Sequence, residues 1–333
     1  MLHSNCKCLH IFVCRIGGRV KDVKFGDIHV ELGANWVQNA GMEKNSKISL
    51  FNMVEDAGLN FISDNFEDYI YRYEGGNVTE DADKIYETLK PAIEKTVKLA
   101  NRKLAKQEPD INYRAALSMH DWRPKLPLEK AVEIFDFDFE FADEPEDTGL
   151  KSNAKHLHPH EQDDIFIADS RGFSQIIRNM ADTIPLVEGK NIFFNKYVTK
   201  IKYNEPGDYP IKVIAKDSKT GKRKVYKAKW VIITFSIGVL ESDLVRFVPK
   251  LPAWKMEVIY MFKMTRYIKI AVKFPSNIEA FWDDNQYISY VDLHVRGKYQ
   301  IWQNLEARGK YYPKGETALG MLPISQLWML LYK

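Results

Sequence analysis

The chain has 333 residues, of which 45% are apolar and 13% aromatic, so it can bury a large core and is not expected to be disordered. This length is typical of two domains or of one large domain. The 48 Lys and Arg residues exceed the 45 Asp and Glu residues by a net charge of +3, which is too small to favour a nucleic-acid-binding protein.

The first half of the chain predicts a strand followed by helices. Residues 28–36, IHVELGANW, alternate between apolar and polar side chains until Gly33 interrupts the pattern. Helical spacing of apolar residues follows in residues 47–62, 81–107, 112–135 and 171–184. Pro91 is expected to kink the second and longest of these helices.

The second half of the chain predicts mainly strands. Short β-branched and aromatic runs between residues 191 and 235 indicate a β-meander that ends in a buried strand over residues 230–234. The basic run over residues 216–229 is expected to form the solvated faces of one hairpin. Three more strand-like runs begin at Tyr267, Gln286 and Lys298. Alternation of helical and strand regions favours a discontinuous two-domain protein of the α/β plus α+β class.

Cysteines and histidines give no sign of a disulfide framework or a metal site. The three cysteines, Cys6, Cys8 and Cys14, are clustered and odd in number, which favours a reducing compartment such as the cytoplasm. We expect no metal at Cys6 and Cys8, or at the alternating histidines of residues 156–160. We expect no signal peptide, and the apolar C-terminal run is shorter than a membrane span.

Two glycine-containing motifs lie near the start of the chain. Gly17 and Gly18 would let the backbone approach a ligand closely, and Arg19 could bind a phosphate or a carboxylate. Taken alone, this tripeptide is more simply a glycine turn with a surface arginine. Small residues after the strand, at residues 33–34, indicate that something flat or bulky packs there, although close strand–helix packing would explain them too.

Taken together and in order, these motifs resemble those of the flavin-containing amine oxidases, most closely the polyamine oxidases. The segments that carry the resemblance are RIGGR (15–19), VELGANWV (30–37), DFDFEFADEP (136–145), FIADSRGFSQII (166–177), SIGVLESDLVRFVPKLPAWK (236–255) and MTRYIKIAVKFP (264–275). The resemblance implies FAD as cofactor and the FAD-dependent amine oxidase fold. It further implies a Rossmann-like FAD-binding domain over residues 1–56 and 170–252. The mixed-sheet and helical substrate domain would cover residues 57–169 and 253–333.

The resemblance also implies which residues contact the cofactor. Gly17, Gly18 and Arg19 would approach the FAD pyrophosphate. Val198 would contact the adenine through its backbone. The end of the first predicted strand would lie along the flavin, with the residues Leu32, Gly33, Ala34, Asn35 and Trp36.

Further residues are implied for catalysis and substrate binding. Lys269 would hold a water at flavin N5 that serves in reoxidation by oxygen, with Tyr267 nearby. From the residue pattern alone, Lys269 is more simply a strand lysine whose ammonium reaches solvent. Glu140 would face the amine in the substrate channel, beside Phe141. Gln38 stands where plant polyamine oxidases have an acidic residue. It would shift substrate specificity, because the channel loses a negative charge that attracts an ammonium group.

The segment around Glu140 also supports polycation binding by its own composition. Residues 135–147, FDFDFEFADEPED, place acids between aromatics. Carboxylates attract multiply charged amines, and aromatic faces favour cations. An amphipathic element with a solvated acidic face is an equally good explanation. The alternation predicts a strand, whereas the resemblance implies a helix, and we expect the helix.

The chain also departs from the pattern of the family. Sixteen residues precede Gly17 and contain no G-x-G-x-x-G motif, and Ile11 stands where a ribose-binding acid is expected. The family continues beyond residue 333, so we expect a protein truncated at both ends. The expected function is FAD-dependent oxidation of spermine-class and spermidine-class polyamines, with oxygen as acceptor and hydrogen peroxide as product. The alternative is a catalytically inactive, truncated amine-oxidase-like protein. Neither nucleic acid nor a membrane is an expected partner.

Overall fold

A computed structural model describes residues 10–11, 15–25, 28–38, 40, 49–154, 164–265, 267–275, 277, 280–307 and 318–323. All three cysteines and the alternating histidines lie outside these residues. The strands are β1 His10–Ile11, β2 Asp22–Phe25, β3 Ile28–Glu31, β4 Trp36–Val37, β5 Phe61–Ser63, β6 Tyr69–Tyr73, β7 Gly76–Asn77, β8 Ile165–Ile167, β9 Ile192–Phe193, β10 Lys196–Lys202, β11 Ile211–Asp217, β12 Arg223–Ala228, β13 Arg246–Val248, β14 Tyr267–Val272, β15 Tyr287–Tyr290, β16 Ile301–Gln303 and β17 Ala318–Pro323.

Each of the four predicted helical regions contains at least one helix, but residues 61–62 at the end of the first region belong to strand β5, and helices also form over Leu150–Asn153, Ile237–Glu241 and Ala253–Met261, where none is predicted. The helices are α1 Leu50–Asp56, α2 Thr79–Ala105, α3 Tyr113–Met119, α4 Pro127–Glu133, which continues as a π-helix over Ile134–Asp138, α5 Phe139–Phe141, α6 Leu150–Asn153, α7 Ser174–Asp182, α8 Ile237–Glu241 and α9 Ala253–Met261. Among the described helices, none is both long enough and apolar enough to cross a membrane.

The chain divides into two compact units, each discontinuous in sequence. The first unit comprises Met1–Lys21 and Ser174–Met264, and the second comprises Asp22–Phe173 and Thr265–Lys333. The two domains predicted from sequence are also discontinuous, but they are defined by whether they bind FAD or the substrate. The division into compact units does not show which residues bind either ligand, so the predicted domain assignment stays a prediction.

The first unit contains a four-stranded sheet in the order β12-β11-β10-β13. Strands β10, β11 and β12 are antiparallel neighbours, and β13 runs parallel to β10. A small core, with Phe193, Val213 and Tyr226, packs on this sheet. The predicted meander is therefore confirmed, and its basic run forms the β11–β12 hairpin.

The buried strand predicted over residues 230–234 is wrong. Trp230 and Ile232 are 85% and 89% exposed, and the segment has no regular secondary structure. Its β-branched composition favours a strand, but a strand needs a hydrogen-bonding neighbour. Within the described residues, the four-stranded sheet ends at β12 and β13 and offers this segment no partner.

The second unit is built on a six-stranded sheet in the order β14-β17-β16-β15-β6-β7. Helix α2 carries Pro91 within it and supplies Leu89 and Leu99 to the main core, where Tyr113 and Leu117 of α3 are also buried. Smaller sheets, β2-β3 and β4-β8-β5, complete this unit. The three strand-like runs predicted after residue 266 correspond to β14, β15 and β16.

The segment around Glu140 is helical, as the resemblance implies, and the strand suggested by its alternation is wrong. Four phenylalanines occupy every second position from Phe135 to Phe141. In the helix they form two stacked pairs, and the two rings of each pair belong to residues four positions apart. Phe135 stacks on Phe139 with ring centroids 5.9 Å apart, and Phe137 stacks on Phe141 at 4.5 Å. The pairs pack on different neighbours, so helical packing explains a pattern that also suits a strand.

Candidate active site

Lys269 of β14 reaches the bend that follows β3, within the second unit. Its ammonium donates to the carbonyl oxygen of Gly33 at 2.5 Å and to the Oδ1 of Asn35. The side chain of Asn35 is buried. The strand that carries Lys269 and the turn after β3 are thereby fixed to each other, which gives the site a rigid base.

A cavity of about 220 Å³ opens beside this contact. It contains most of the residues that the sequence predicts for flavin and substrate binding. Its lining residues are Gly33, Ala34, Asn35, Trp36, Gln38, Phe66, Phe139, Glu140, Asp164, Tyr267 and Lys269. The chain thus brings together residues from distant segments around one space.

The electrostatic state of Lys269 is perturbed. Burial lowers the pKa of its ammonium from 10.5 to about 8, and the carboxylate of Glu31 opposes this shift. The ammonium also lies 5.4 Å from the centre of the Trp36 ring, where the aromatic face stabilises a cation. A lysine that can lose its proton near neutral pH in a cavity is typical of a functional site.

Asp64 was missed by the sequence analysis, although it holds Trp36 in place. The indole N–H of Trp36 donates to the buried carboxylate of Asp64, as do the amide of Gln286 and the hydroxyl of Tyr287. Burial raises the pKa of Asp64, although these hydrogen bonds lower it in part. No motif marks Asp64 in the sequence, because its role depends on residues far away along the chain.

Glu140 lies on another part of the cavity wall. The side-chain amide of Gln38 donates to its Oε1 at 3.4 Å. Burial raises the pKa of the Tyr267 phenol, and the negative charge of Glu140 raises it further. The Phe139 ring lies 6.4 Å from the Tyr267 ring, and Phe139 too was absent from the predicted site. A cavity lined by both a carboxylate and aromatic rings is suited to an organic cation.

Of the residues predicted to contact the flavin ring or the substrate, two lie outside this lining. Phe141 packs against Phe137 in the main core, and Leu32 is 42% exposed in the bend after β3. Glu31, which was not predicted, is buried, and its charge acts on the Lys269 ammonium. One of its oxygens accepts the N–H of Phe173 at 2.5 Å, whereas the other is without a hydrogen-bond partner among the described residues.

The glycine-arginine motif lies in the first unit and forms a tight loop. The Arg15 guanidinium donates to the carbonyl oxygens of Gly18 at 2.6 Å and Val20 at 2.9 Å. Gly17 has φ +98°, and a Cβ there would lie 2.9 Å from the Val20 oxygen. A Cβ at Gly18 would meet nothing within 4 Å, and Arg19 is exposed. The loop therefore leaves open space beside Gly18, next to the exposed Arg19.

Val198, the remaining predicted cofactor residue, lies in β10 of the first unit. It pairs with Ala215, and the pairing register shifts between Val198 and Lys200. Its side chain packs against the core of that unit, so only its backbone could serve a ligand.

The residues that line the cavity fit a flavin cofactor on structural grounds. Gly33 and Ala34 line the cavity with almost no side-chain volume, beside the Lys269 ammonium and the Trp36 ring. An ammonium has three N–H donors, and the two described hydrogen bonds leave one for a further acceptor. A flat heterocycle with acceptor atoms suits such a surface.

Comparison with known proteins places the chain among flavoenzymes. The profile of the family described as flavin containing amine oxidoreductase matches residues 14–328. The chain is 32% identical to polyamine oxidase 1 of Zea mays over 328 residues, covering 91% of this chain and 61% of that protein. It is 30% identical to polyamine oxidase 7 of Oryza sativa subsp. japonica, covering 91% of this chain and 64% of that protein. The chain thus spans less than two thirds of the length of these relatives.

The fold also has a solved counterpart. Reduced UDP-galactopyranose mutase superposes with a TM-score of 0.52 at 12% identity, covering 94% of this chain and 67% of that chain. At this identity the likeness shows the fold alone. The family profile and this structure together confirm the predicted fold class.

Proposed function

The chain belongs to the flavin-containing amine oxidoreductase family, and on that premise we propose that it oxidises polyamines of the spermine and spermidine class with FAD and oxygen. The observation that carries this proposal is the cavity that Glu140 lines together with the aromatic residues Phe139 and Tyr267 and with Lys269 and Trp36. The names of the plant relatives support the substrate class.

Each unit carries proposed cofactor contacts of its own. Gly18 and Arg19 would hold the pyrophosphate, and the backbone of Val198 would meet the adenine. Residues 33–36 would lie along the flavin, next to the Lys269 ammonium. When bound, FAD supplies a hydride acceptor for the carbon beside the amine nitrogen, with oxygen as the final electron acceptor.

The protein's own residues would bind and orient the substrate. Glu140 would pair with an ammonium group of the extended polyamine, and the rings of Phe139 and Tyr267 would exclude water around the neighbouring methylenes. Lys269 would hold an acceptor atom or a water through its remaining N–H. Gln38 would hold the Glu140 carboxylate in orientation without adding charge of its own.

The overall reaction sets the quantities to measure. A secondary amine, oxygen and water would give a primary amine, an aldehyde and hydrogen peroxide, each in equal amounts. Purified chain with added FAD is incubated with spermine, spermidine or butylamine, and oxygen uptake, peroxide and aldehyde are measured. We expect equal yields of peroxide and aldehyde with the polyamines and little product with butylamine. A preference for butylamine, or for a neutral or anionic amine, contradicts the proposal.

The inactive alternative gives a different result in the same experiment. In that case spermine binds, as measured by calorimetry, while oxygen uptake stays at the level without enzyme. Glu140→Gln is the matched variant in both cases, because it removes the charge of the cavity carboxylate and preserves its shape. It should weaken the binding of spermine, which carries several positive charges, more than that of butylamine, which carries one.

A further inference from the structure

Arg296 forms an ion-pair clamp on the helix that leads to Glu140. Its guanidinium donates to both oxygens of Asp138, from Nη2 at 2.6 Å and from Nε at 3.1 Å. The same Nη2 lies 2.8 Å from Oε1 of Glu133. Glu133 and Asp138 are 1% and 7% exposed, so this contact is removed from solvent.

The clamp depends on the π-helix over Ile134–Asp138. Glu133 and Asp138 are five residues apart, which in an α-helix would separate their directions by about 140°. In a π-helix the hydrogen bonds run from residue i to residue i+5, so such residues lie above one another. The N–H of Phe139 donates to Ile134 O in this way. One guanidinium can therefore bind both carboxylates only while the π turn is present.

The π turn also determines where the next residues point. Phe139 and Glu140 follow it directly and line the cavity with Gln38 and Tyr267. Conversion of the wide turn to an α turn would rotate Glu140 about the helix axis by roughly 100°, the angle per residue of an α-helix. The carboxylate would then no longer face Gln38.

We propose that Arg296 is a positioning residue for substrate selectivity, which clamps Glu133 and Asp138 and so holds the π turn that presents Glu140 to the cavity. This inference rests on the proposed function, because it concerns how the site favours polycations over monoamines. It extends that function to a residue that does not line the cavity.

The charges around the clamp make it sensitive to pH. Burial raises the pKa of Asp138 to about 7, Arg296 opposes this shift, and Glu133 and Glu144 add to it. Burial likewise raises the pKa of the neighbouring Asp136 to about 7, with Glu133 adding to the shift and Tyr86 opposing it. Protonation of Asp138 removes the charge that Arg296 binds, so the clamp should weaken as the pH falls below 7.

Arg114 provides a matched control. It binds Glu133 through two hydrogen bonds, Nη1–Oε2 at 2.7 Å and Nη2–Oε1 at 2.5 Å. Its other partner is Glu146, at 2.7 Å, so among its described hydrogen bonds none goes to Asp138. Arg114→Met and Arg296→Met therefore each remove one guanidinium from the same buried glutamate, but only Arg296→Met releases the π turn.

The first test needs neither cofactor nor substrate. Hydrogen exchange of the amides of residues 139–142 is measured in the full chain, after correction for any change in global unfolding free energy. We expect Arg296→Met to accelerate this exchange at least about tenfold, Arg114→Met to leave it near the wild-type rate, and Arg296→Lys to lie between them. Equal exchange in Arg296→Met and Arg114→Met overturns the clamp.

The second test addresses selectivity. Calorimetry measures the Kd of spermine and of butylamine at pH 6 and pH 8. Arg296→Met should weaken spermine binding roughly tenfold, because the carboxylate that pairs with an ammonium group is displaced, and should weaken the binding of butylamine, which carries one charge, less. The wild type should bind spermine more weakly at pH 6 than at pH 8, because the clamp weakens below pH 7. Asp138→Asn should remove this difference in Kd. If the wild type binds no spermine, the proposed function fails, and the exchange experiment still decides the clamp. If spermine binds Arg296→Met as it binds the wild type, the selectivity role is overturned.

Discussion

The ammonium of Lys269 donates to the carbonyl oxygen of Gly33 at 2.5 Å, across 236 positions of sequence. This contact joins the last motif of the chain that resembles the amine oxidases to one of the first. It places the Lys269 ammonium beside small residues, an aromatic ring and a buried glutamate. The charge of Lys269 is therefore the first property to test.

We predict that Lys269 titrates near pH 8, because burial disfavours its charged form. The measurement is the pH dependence of its ¹⁵Nζ chemical shift. Glu31→Gln should lower this pKa further, since it removes a carboxylate that favours the ammonium. Glu87→Gln on the exposed face of α2 is the control and should leave it unchanged. A Lys269 pKa near 10.5 would show that the ammonium is solvated.

The same shift affects stability. Between pH 8 and 10.5 the unfolded chain binds a proton that the folded chain has lost, so the free energy of unfolding rises with pH in that window. Below pH 8 Lys269 is charged in both states and contributes no slope. Lys269→Met should lose this rise, which urea unfolding at several pH values would detect.

Gln38→Glu should strengthen spermine binding by about 1 kcal/mol through the added charge. The new carboxylate would lie next to that of Glu140, which Gln38 now contacts at 3.4 Å, so both could face the same ammonium group. Calorimetry measures the change in Kd. Gln107→Glu, a charge change at an exposed position two residues after α2, should have no effect.

Asp64→Asn should lower the free energy of unfolding by about 1–3 kcal/mol, since an amide cannot accept every hydrogen bond made by the carboxylate. Asp64 accepts from the side chains of Trp36, Gln286 and Tyr287 and is 8% exposed. Urea unfolding measures the change. Asp208→Asn, in an exposed turn, should be within error of the wild type, and an equally small effect of Asp64→Asn would show that the hydrogen-bond cluster adds no stability.

The double substitution Trp230→Ser with Ile232→Ser should reduce self-association of the purified chain. These apolar side chains are 85% and 89% exposed, and exposed apolar surface promotes association. Analytical ultracentrifugation gives the association constant, and Tyr209→Ser, at a 51% exposed tyrosine in a turn, is the control. Unchanged association would place the self-association surface elsewhere.

The sequence predicted the elements that depend on local pattern. The long helix α2, the β11–β12 hairpin and strands β14 to β16 follow from the spacing of apolar residues, which local structure fixes directly. The strand predicted at residues 230–234 failed because strand formation requires a neighbour, and composition does not report one. The helix at Glu140 was predicted through the resemblance, since alternating phenylalanines alone suit either structure.

The sequence by itself determined the family and the identity of most lining residues, because those are carried by short motifs in a fixed order. Only the tertiary structure decided which of them meet. It joined Lys269 to Gly33 and Gln38 to Glu140, and it added Asp64 and Arg296, which no motif marks. Their contribution is a set of buried hydrogen bonds and ion pairs between distant segments. Such contacts exist only once the chain has folded, so no local pattern encodes them.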